Sequence, residues 1–258
     1  MQHNRIDRGK VWLLRGVLLA AVLVGWQVGI DRQVLPELFF GSPRVIGATI
    51  IKWWGSGAFY VHLYVTLVET LLSFAIGTAL ALVLGLWLAL SPLWAAVFDP
   101  FIKAVNSMPR LILAPIFAIW FGLGIWSKVA LGVTLVFFGV FFNVYQGIRE
   151  VSPVLLANTR MLGANHRQLI RRVYLPSAMT WVFSSLHLSV GMAFIGAVIG
   201  EYLGSSEGIG YLILQAEGTF DTDSVLAGIV VLTICALVLD AVISAAEKAL
   251  LVWRPTAH

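Results

Sequence analysis

The sequence is short of cysteine. Cys235 is the single cysteine among 258 residues, and it lies inside an apolar run. One cysteine cannot close a disulfide within the chain, and a lone thiol is not a zinc site. We therefore expect Cys235 to be a small core residue.

Charged residues are also scarce. They make up 12% of the chain, whereas 59% of it is hydrophobic, and the apolar residues come in long runs. A run of about 20 apolar residues spans the roughly 30 Å hydrocarbon core of a bilayer. Unpaired backbone groups are too costly in lipid for open strands to cross it. The composition therefore argues against a soluble domain and predicts an all-α polytopic membrane protein.

Six hydrophobic segments define the predicted spans. They cover residues 11–30, 63–90, 97–121, 128–147, 176–203 and 225–251. The third is interrupted by Pro100, Pro109 and Pro115. The first follows basic residues as a signal peptide does, but the stretch around Trp26 is a poor cleavage site, so we expect a retained helix.

Lysine and arginine set the predicted orientation. They concentrate in the N-terminal segment, in the loop 149–172 and in the C-terminal tail, and they are few in the opposite loops. Basic residues favour the cytoplasmic side of a membrane. We therefore expect a multi-pass membrane protein with both termini in the cytoplasm.

No motif for covalent chemistry is visible. The phosphate-loop pattern G-x-x-x-x-G-K-[ST], metal-ligand spacings and a serine nucleophile motif do not occur in the sequence. Gly204, Gly208 and Gly210 form a glycine-rich patch without a preceding strand, which we interpret as a turn at the membrane surface. The chain is not expected to be an enzyme or to hold a cofactor or metal itself.

The most basic segment lies in the middle of the chain, at Met161–Pro176. Read as one helix over residues 160–173, it carries Leu162, Leu169, Ile170 and Val173 on one face and arginines on the other. The small pair Gly163-Ala164 predicts a tight bend, and Pro176 predicts a helix boundary. Two interpretations remain open: an interfacial helix lying on anionic lipid, and a docking helix for a cytoplasmic partner.

The same segment resembles a motif of a known family. Gly163 is followed by Val173, Leu175 and Pro176 at the spacing of the Glu-Ala-Ala loop in bacterial ABC importer permeases of type I. The flanking stretches FNVYQGIREVSPVLLANTRMLGA, PRLILAPIFAIWFGLGIWSKV and GSSEGIGYLI are similar to permeases for nitrate, sulfonates and taurine. The resemblance extends from about residue 60 to 250.

The resemblance implies that the loop docks in a cleft of a separate ATPase subunit. The residues expected to couple to that subunit are Ala157, Arg160, Leu162, Gly163, Ala164, His166, Arg167, Leu169, Arg171 and Pro176. Where the family has Glu-Ala-Ala, this chain has Ala157-Asn158-Thr159, so an ion pair made by that glutamate is missing. The expected division is an N-terminal part (1–62), a permease core (63–251) containing the coupling loop at about 150–175, and a tail (252–258).

Polar residues within the spans are candidates for the translocation path, because charges in hydrocarbon are costly. Arg110 either snorkels to the cytoplasmic face or meets an anionic solute in the path. The candidate path residues are Glu69, Met108, Pro109, Arg110, Asn143, Gly200 and Glu201. His187 is interpreted as a hydrogen bonder in helix packing, since no acidic residue lies at helical spacing from it.

The function that the resemblance implies is that of the subunit that spans a bacterial inner membrane in an ATP-driven, binding-protein-dependent importer for a small, anionic solute. Its expected partners are two ATP-binding subunits that hold ATP and Mg, a solute-binding protein outside the cell, a second copy of the chain and the lipid bilayer, with no nucleic acid. The alternative is a secondary transporter or channel driven by an ion gradient.

Overall fold

The structure, a computed structural model, describes residues 8–250. Helices make up most of this range, and no strand occurs within it. The helices are α1 (Arg8–Asp31), α2 (Glu37–Phe40), α3 (Pro43–Trp54), α4 (Gly57–Leu90), α5 (Pro92–Asn106), α6 (Ala114–Phe121), α7 (Ile125–Arg149), α8 (Pro153–Met161), α9 (His166–Leu169), α10 (Leu175–Leu203), α11 (Ile209–Gly218) and α12 (Thr222–Leu250). A 3-10 turn (Arg110–Leu113) precedes α6, and a π-helical turn (Ile170–Tyr174) precedes α10.

The prediction of an all-α protein with about six spans is confirmed. Within residues 8–250, five helices are long and apolar enough to cross a bilayer. Helix α5 and the segment Arg110–Phe121 are bent by 83° relative to each other, and this pair makes six crossings if it is one broken span and not a re-entrant loop. The N-terminal residues before Arg8 and the predicted tail 252–258, which carried part of the orientation prediction, lie outside the described residues.

Proline explains where the third crossing breaks. Pro109 stands between the two halves in an extended conformation, with φ −67° and ψ 95°. It has no N–H to donate, and it disfavours a helical conformation in the residue before it. Pro100 is accommodated inside α5, and Pro115 lies in the first turn of α6, where the missing N–H has no helical acceptor to lose. Of the three prolines that predicted an interruption, Pro109 marks the turn.

The apolar part of α1 is not buried within the chain. Trp12 and Leu18 are about 70% exposed, at 70% and 68%. A helix that is apolar all round and uncovered by its own chain is suited to contact with lipid or another subunit. By contrast, half of the apolar window of α7 and half of that of α10 are buried, so these two helices form the centre of the fold.

The chain divides into two compact units. The first contains the residues up to Tyr60 together with Leu212–Val231, and the second contains Val61–Tyr211 together with the residues from Leu232 onward. The long helices α4 and α12 each contribute to both units.

Polar side chains hold the first unit together. Gln27 on α1 accepts hydrogen bonds through Oε1 from the Ser42 hydroxyl and from the backbone N–H of Arg44, both at 3.1 Å. The backbone N–H of Ser42 donates to the Asp223 carboxylate at 2.6 Å. These bonds tie α1 and the start of α12 to the first turn of α3.

Small residues bring the central helices of the second unit into close contact. A Cβ atom on Gly196 of α10 would lie 2.3 Å from the Cα of Gly132 on α7, so the two backbones touch. On the side of α4, the Ser73 hydroxyl donates to the carbonyl of Val129 at 3.3 Å. Membrane helices associate through such close backbone approach and interhelical hydrogen bonds, since lipid offers little hydrophobic driving force between them.

A histidine connects α10 to α12. His187 Nδ1 lies 2.6 Å from an Asp240 carboxylate oxygen, and its Nε2 lies 3.2 Å from one of Glu247. The sequence predicted a packing hydrogen bonder at His187, and helical spacing offered no acidic partner on the same helix. Both partners come from a helix more than fifty residues further along the chain, at separations of 53 and 60.

The glycine contact predicts a difference between two positions on α10. Gly196→Ala should destabilise the protein by about 1–3 kcal/mol, because the added methyl group overpacks the contact with Gly132. Gly191→Ala is the matched control, since a Cβ there meets no atom within 4 Å. Thermal unfolding of both variants in lipid nanodiscs measures the difference. Equal unfolding temperatures would contradict close packing at Gly196.

Candidate functional site

The predicted coupling loop contains two short helices joined at Gly163. The helix α8 ends in a turn in which the N–H of Gly163 donates to the carbonyl of Arg160 at 2.9 Å, and that of Ala164 donates to Thr159 at 3.2 Å. This pair of bonds is the Schellman pattern of helix termination. Gly163 has φ +82°, and a Cβ placed on it would meet no atom within 4 Å. The backbone conformation therefore favours glycine, while the surrounding space is open.

The chain starts a new helix directly after this turn. Asn165 and Gln168 form a capping box: the Asn165 side chain accepts from the N–H of Gln168, and the Gln168 side chain accepts from the N–H of Asn165, both at 2.9 Å. From there α9 and the π-helical turn continue into α10. Pro176 lies at the start of α10 and cannot donate to a preceding carbonyl, which accounts for a widened turn just before it.

The structure corrects the prediction of one helix over residues 160–173. The helix is interrupted from Leu162 to Asn165, because Gly163 takes a left-handed conformation that ends α8. Leu162, placed by periodicity on the apolar face, is 88% exposed. Leu169 and Val173 are buried as expected, and they pack with Val151.

The predicted coupling residues divide by exposure. The exposed ones are Ala157, Arg160, Leu162, Gly163, His166, Arg167 and Arg171. Ala164 and Pro176 are half-buried, and Leu169 is buried. Leu169 packs against Val151 and Val173, and this contact holds the loop against the protein core. The loop therefore presents an apolar tip at Met161 and Leu162, 86% and 88% exposed, beside a group of arginines.

The break in the third crossing places Arg110 beside a cavity of about 290 Å³ between α7 and α10. Its Nη2 donates to the side-chain and backbone oxygens of Asn106, and its Cζ lies 4.6 Å from the centre of the Phe138 ring. Asn143 lines the same cavity and donates to the carbonyl of Gly139 at 2.8 Å. Arg110 is thus stacked against the middle of α7.

The remaining predicted path residues lie elsewhere. Met108 and Pro109 are exposed at the break. Glu69 and Glu201 are 1% and 0% exposed, and they share a buried cluster with Lys128. Gly200 packs against the Lys128 side chain. The sequence placed all these residues in one candidate set, whereas the structure separates them into a cavity and a buried cluster.

In the buried cluster, the Glu201 carboxylate accepts hydrogen bonds that hold the turn after α10 in place. One carboxylate oxygen accepts from the Thr66 hydroxyl and the other from the N–H of Gly210, both at 2.6 Å. Thr66 in turn accepts from the N–H of Ile209 at 2.8 Å. Gly208, with φ +109°, lies so close to Glu201 that a Cβ would sit 2.2 Å from the carboxyl carbon. The GSSEGIG turn is therefore built around this carboxylate and tied to α4.

Residues 81–252 match the family profile described as the binding-protein-dependent transport system inner membrane component. That match covers about two thirds of the chain and includes the Gly163 loop, the Arg110 cavity and the Glu201 turn. The chain belongs to this family. It is a transport permease, and the alternative of a transporter or channel driven by an ion gradient is not retained.

Curated relatives are similar in sequence to the permease along nearly the whole chain. The putative aliphatic sulfonates transport permease protein SsuC of Bacillus subtilis is 32% identical, over 98% of this chain and 92% of its own. The formylaminopyrimidine transport permease protein ThiX of Halalkalibacterium halodurans is 34% identical, over 90% and 92%. The taurine transport system permease protein TauC of Escherichia coli is 28% identical, over 95% and 90%.

A solved structure supports the fold of the permease. A chain of the MetNI methionine ABC transporter, solved in inward facing conformations, superposes with a TM-score of 0.58. The match covers 71% of this chain and 94% of that chain at 18% sequence identity. The permease therefore has the fold of an ABC importer membrane subunit.

Sequence reasoning missed several residues that shape the permease. Thr66, Lys128 and Asn106 were not singled out, although each contacts a predicted site residue. Thr66 and Glu201 are 135 residues apart, so helical spacing could not pair them. The available signal for Lys128 was a lone lysine at the start of an apolar span, since a charge in that position calls for a partner.

The turn around Glu201 yields a stability prediction for the permease. Glu201→Gln should lower the free energy of unfolding by about 1–3 kcal/mol, because the amide presents N–H groups to one of two buried donors. Glu207→Gln, an exposed change in the same turn, is the control. The measurements are thermal unfolding in nanodiscs and hydrogen exchange of residues 204–210. Unchanged exchange in Glu201→Gln would show that the carboxylate does not hold the turn.

Proposed function

We propose that this permease forms the translocation path of an ATP-driven importer and couples to a separate ATPase subunit through residues 153–174. The observation that carries the proposal is the turn at Gly163. It is exposed, it has open space around it, and it stands between an apolar tip and arginine side chains. A protruding turn of this kind fits a groove on a partner protein.

The loop is built to transmit force as well as to bind. Leu169 and Val173 anchor it against Val151, and the chain runs from α9 through the π-helical turn into α10 without a linker. A displacement at Gly163 would therefore move the base of α10. Since α10 packs along α7 with backbone contact at Gly196, the two helices would move together.

The competing interpretation, an amphipathic helix lying on the membrane surface, has less support. Such a helix needs a continuous apolar stripe. Here the helix is interrupted from Leu162 to Asn165, and Leu169 and Val173 face the protein's own core. The exposed apolar area is a tip at Met161 and Leu162, which suits a small hydrophobic recess on a partner.

A second copy of the chain completes the path. Helix α5 and the Arg110–Leu113 turn have no buried residue in the single chain, and the backbone groups between them, from Ser107 to Pro109, lie outside any helix. Such groups are tolerated in a bilayer only where protein or a water-filled cavity covers them. In a homodimer whose copies face each other across this bend, the second copy supplies the covering protein, and the space between the copies supplies a water-filled cavity. The two copies would engage two ATPase subunits that bind ATP and Mg.

The loop at residues 153–174 and the surface that receives solute lie on opposite sides of the membrane in this proposal. The loop and both termini face the cytoplasm of a bacterium, in agreement with the distribution of arginine and lysine. A solute-binding protein docks at the opposite side, near Gly204–Tyr211. The names of the sulfonate and taurine relatives support a small anionic solute such as a sulfonate.

Two substitutions at Gly163 test the coupling role. Gly163→Trp should abolish ATP-dependent uptake and solute-stimulated ATP hydrolysis, because the indole fills the space that a partner's groove needs. Gly163→Asn should retain most coupling, since asparagine tolerates a left-handed backbone and adds little bulk. The measurements are uptake into proteoliposomes and co-purification of the ATPase. Normal uptake by a folded Gly163→Trp variant would remove the docking role.

A further inference from the structure

The cavity beside Arg110 lies at the middle of the bundle along the helix axes. Phe138 is near the midpoint of α7, and Ser189 is at the midpoint of α10; both line the cavity. At 1.5 Å per residue, the middle of each helix is about 18–20 Å from its ends. The cavity is thus at membrane mid-depth, where a charged group has no water unless the protein provides it.

The guanidinium of Arg110 has unused hydrogen-bonding capacity there. Its Nη2 donates to Asn106 and one face stacks on the Phe138 ring. Its Nε is buried and meets no acceptor among the described residues. Because Nε has no accessible surface and Nη2 already donates to Asn106, Nη1 is the group left for a ligand, and it can form charge-assisted hydrogen bonds to a carboxylate or sulfonate.

The cavity provides no counter-charge for this arginine. Its lining contains no aspartate or glutamate. The neighbouring cation Lys103, in contrast, is paired with Asp99 at 2.7 Å on the exposed surface of α5. An arginine at mid-depth without an acidic partner marks a functional position, since an intramembrane charge is otherwise costly.

The rest of the lining favours a ligand with an apolar portion. Phe138, Phe142 and Met192 contribute rings and a thioether, and Asn143 adds an amide. Ser185 and Ser189 donate to carbonyls of their own helix and are therefore occupied. A volume of about 290 Å³ is close to the lower end of small-molecule sites.

We propose that this cavity is an anion-binding station within the translocation path, in which Arg110 binds the charged head of a small organic sulfonate or carboxylate and Phe138, Phe142 and Met192 contact its carbon chain. This inference rests on the proposed function and deepens it, because it makes the permease itself selective. The delivering protein is then not the sole source of specificity.

The same face of α7 continues toward the Gly163 end of the bundle. Tyr145 and Arg149 follow Phe138 and Phe142 at helical spacing, and they line a second cavity with Lys103 and Asp99. Arg149 donates to the Tyr145 hydroxyl at 2.8 Å. An anion leaving Arg110 would meet aromatic rings and then further cationic groups along this face.

Binding to the full-length permease in lipid nanodiscs tests the station without either partner. The probes are 1-butanesulfonate, the neutral butyl methyl sulfone and the cation butylamine, measured by equilibrium dialysis against empty nanodiscs. Butanesulfonate should bind the native protein and bind Arg110→Gln about tenfold or more weakly, as expected for loss of a charge-assisted hydrogen bond. Arg44→Gln, the same change at an exposed arginine outside both cavities, is the matched control and should bind like the native protein. The sulfone and butylamine should not bind measurably.

A second measurement uses the native protein and does not depend on the folding of a variant. Phenylglyoxal modifies accessible arginines, and mass spectrometry quantifies the reaction at Arg110. Butanesulfonate should protect Arg110 and leave the exposed Arg44 unprotected. Equal binding of butanesulfonate and the sulfone, equal binding by Arg110→Gln and native protein, or no protection of Arg110 would each overturn the station.

The two proposals fail in different ways. Butanesulfonate binding requires no ATPase, so a result against coupling at Gly163 leaves the station intact. Conversely, unchanged binding in Arg110→Gln together with normal ATP-dependent uptake would remove the station and keep the importer.

Discussion

A bilayer offers no water to hydrogen-bond an exposed backbone group, and the architecture of this permease follows from that constraint. Nearly every residue that crosses the membrane is helical, so that each peptide group is satisfied within its own segment. The single place in residues 8–250 where a crossing breaks is at Pro109. A break there is stable only beside protein or water, which is why it coincides with a cavity and with an intramembrane arginine.

The helices that carry the site are held by contacts that lipid cannot replace. Gly132 and Gly196 let α7 and α10 touch backbone to backbone, and Thr66 and Glu201 bind the turn that follows α10 to α4. The glycine contact and these hydrogen bonds both restrict how α10 can move. The result is a closely packed central pair of helices, with the Gly163 loop at one end and the Glu201 turn at the other.

If the loop and the cavity have the roles we propose, energy input is separated in space from solute recognition. The loop around Gly163 is polar and exposed apart from its apolar tip, and it carries no group suited to bind a solute at membrane depth. The Arg110 cavity lies along the same two helices but about half a helix length away. A coupled movement of α7 and α10 would therefore change the cavity when the loop is displaced, without any direct contact between partner and solute.

Much of the fold and the family of the permease could be predicted from local sequence, since hydrophobic spans and motif spacings are properties of residues close together in the chain. The six crossings, the interruption in the third, the glycine bend and the family followed from hydrophobic runs, proline positions and the Gly-to-Leu-Pro spacing. Leu162 was misplaced because periodicity assumes an unbroken helix, and one left-handed residue at Gly163 cancels that assumption.

Only the tertiary structure decided which polar residues meet. The pairs Thr66 with Glu201, His187 with Asp240, and Arg110 with Phe138 join different helices, and helical periodicity carries no information about which faces oppose each other. The sequence by itself determined that charges occur in the membrane and that the chain is a helical permease. Whether each charge is buried as a brace or faces a cavity depended on packing, because burial and electrostatic environment arise from neighbours distant in the chain.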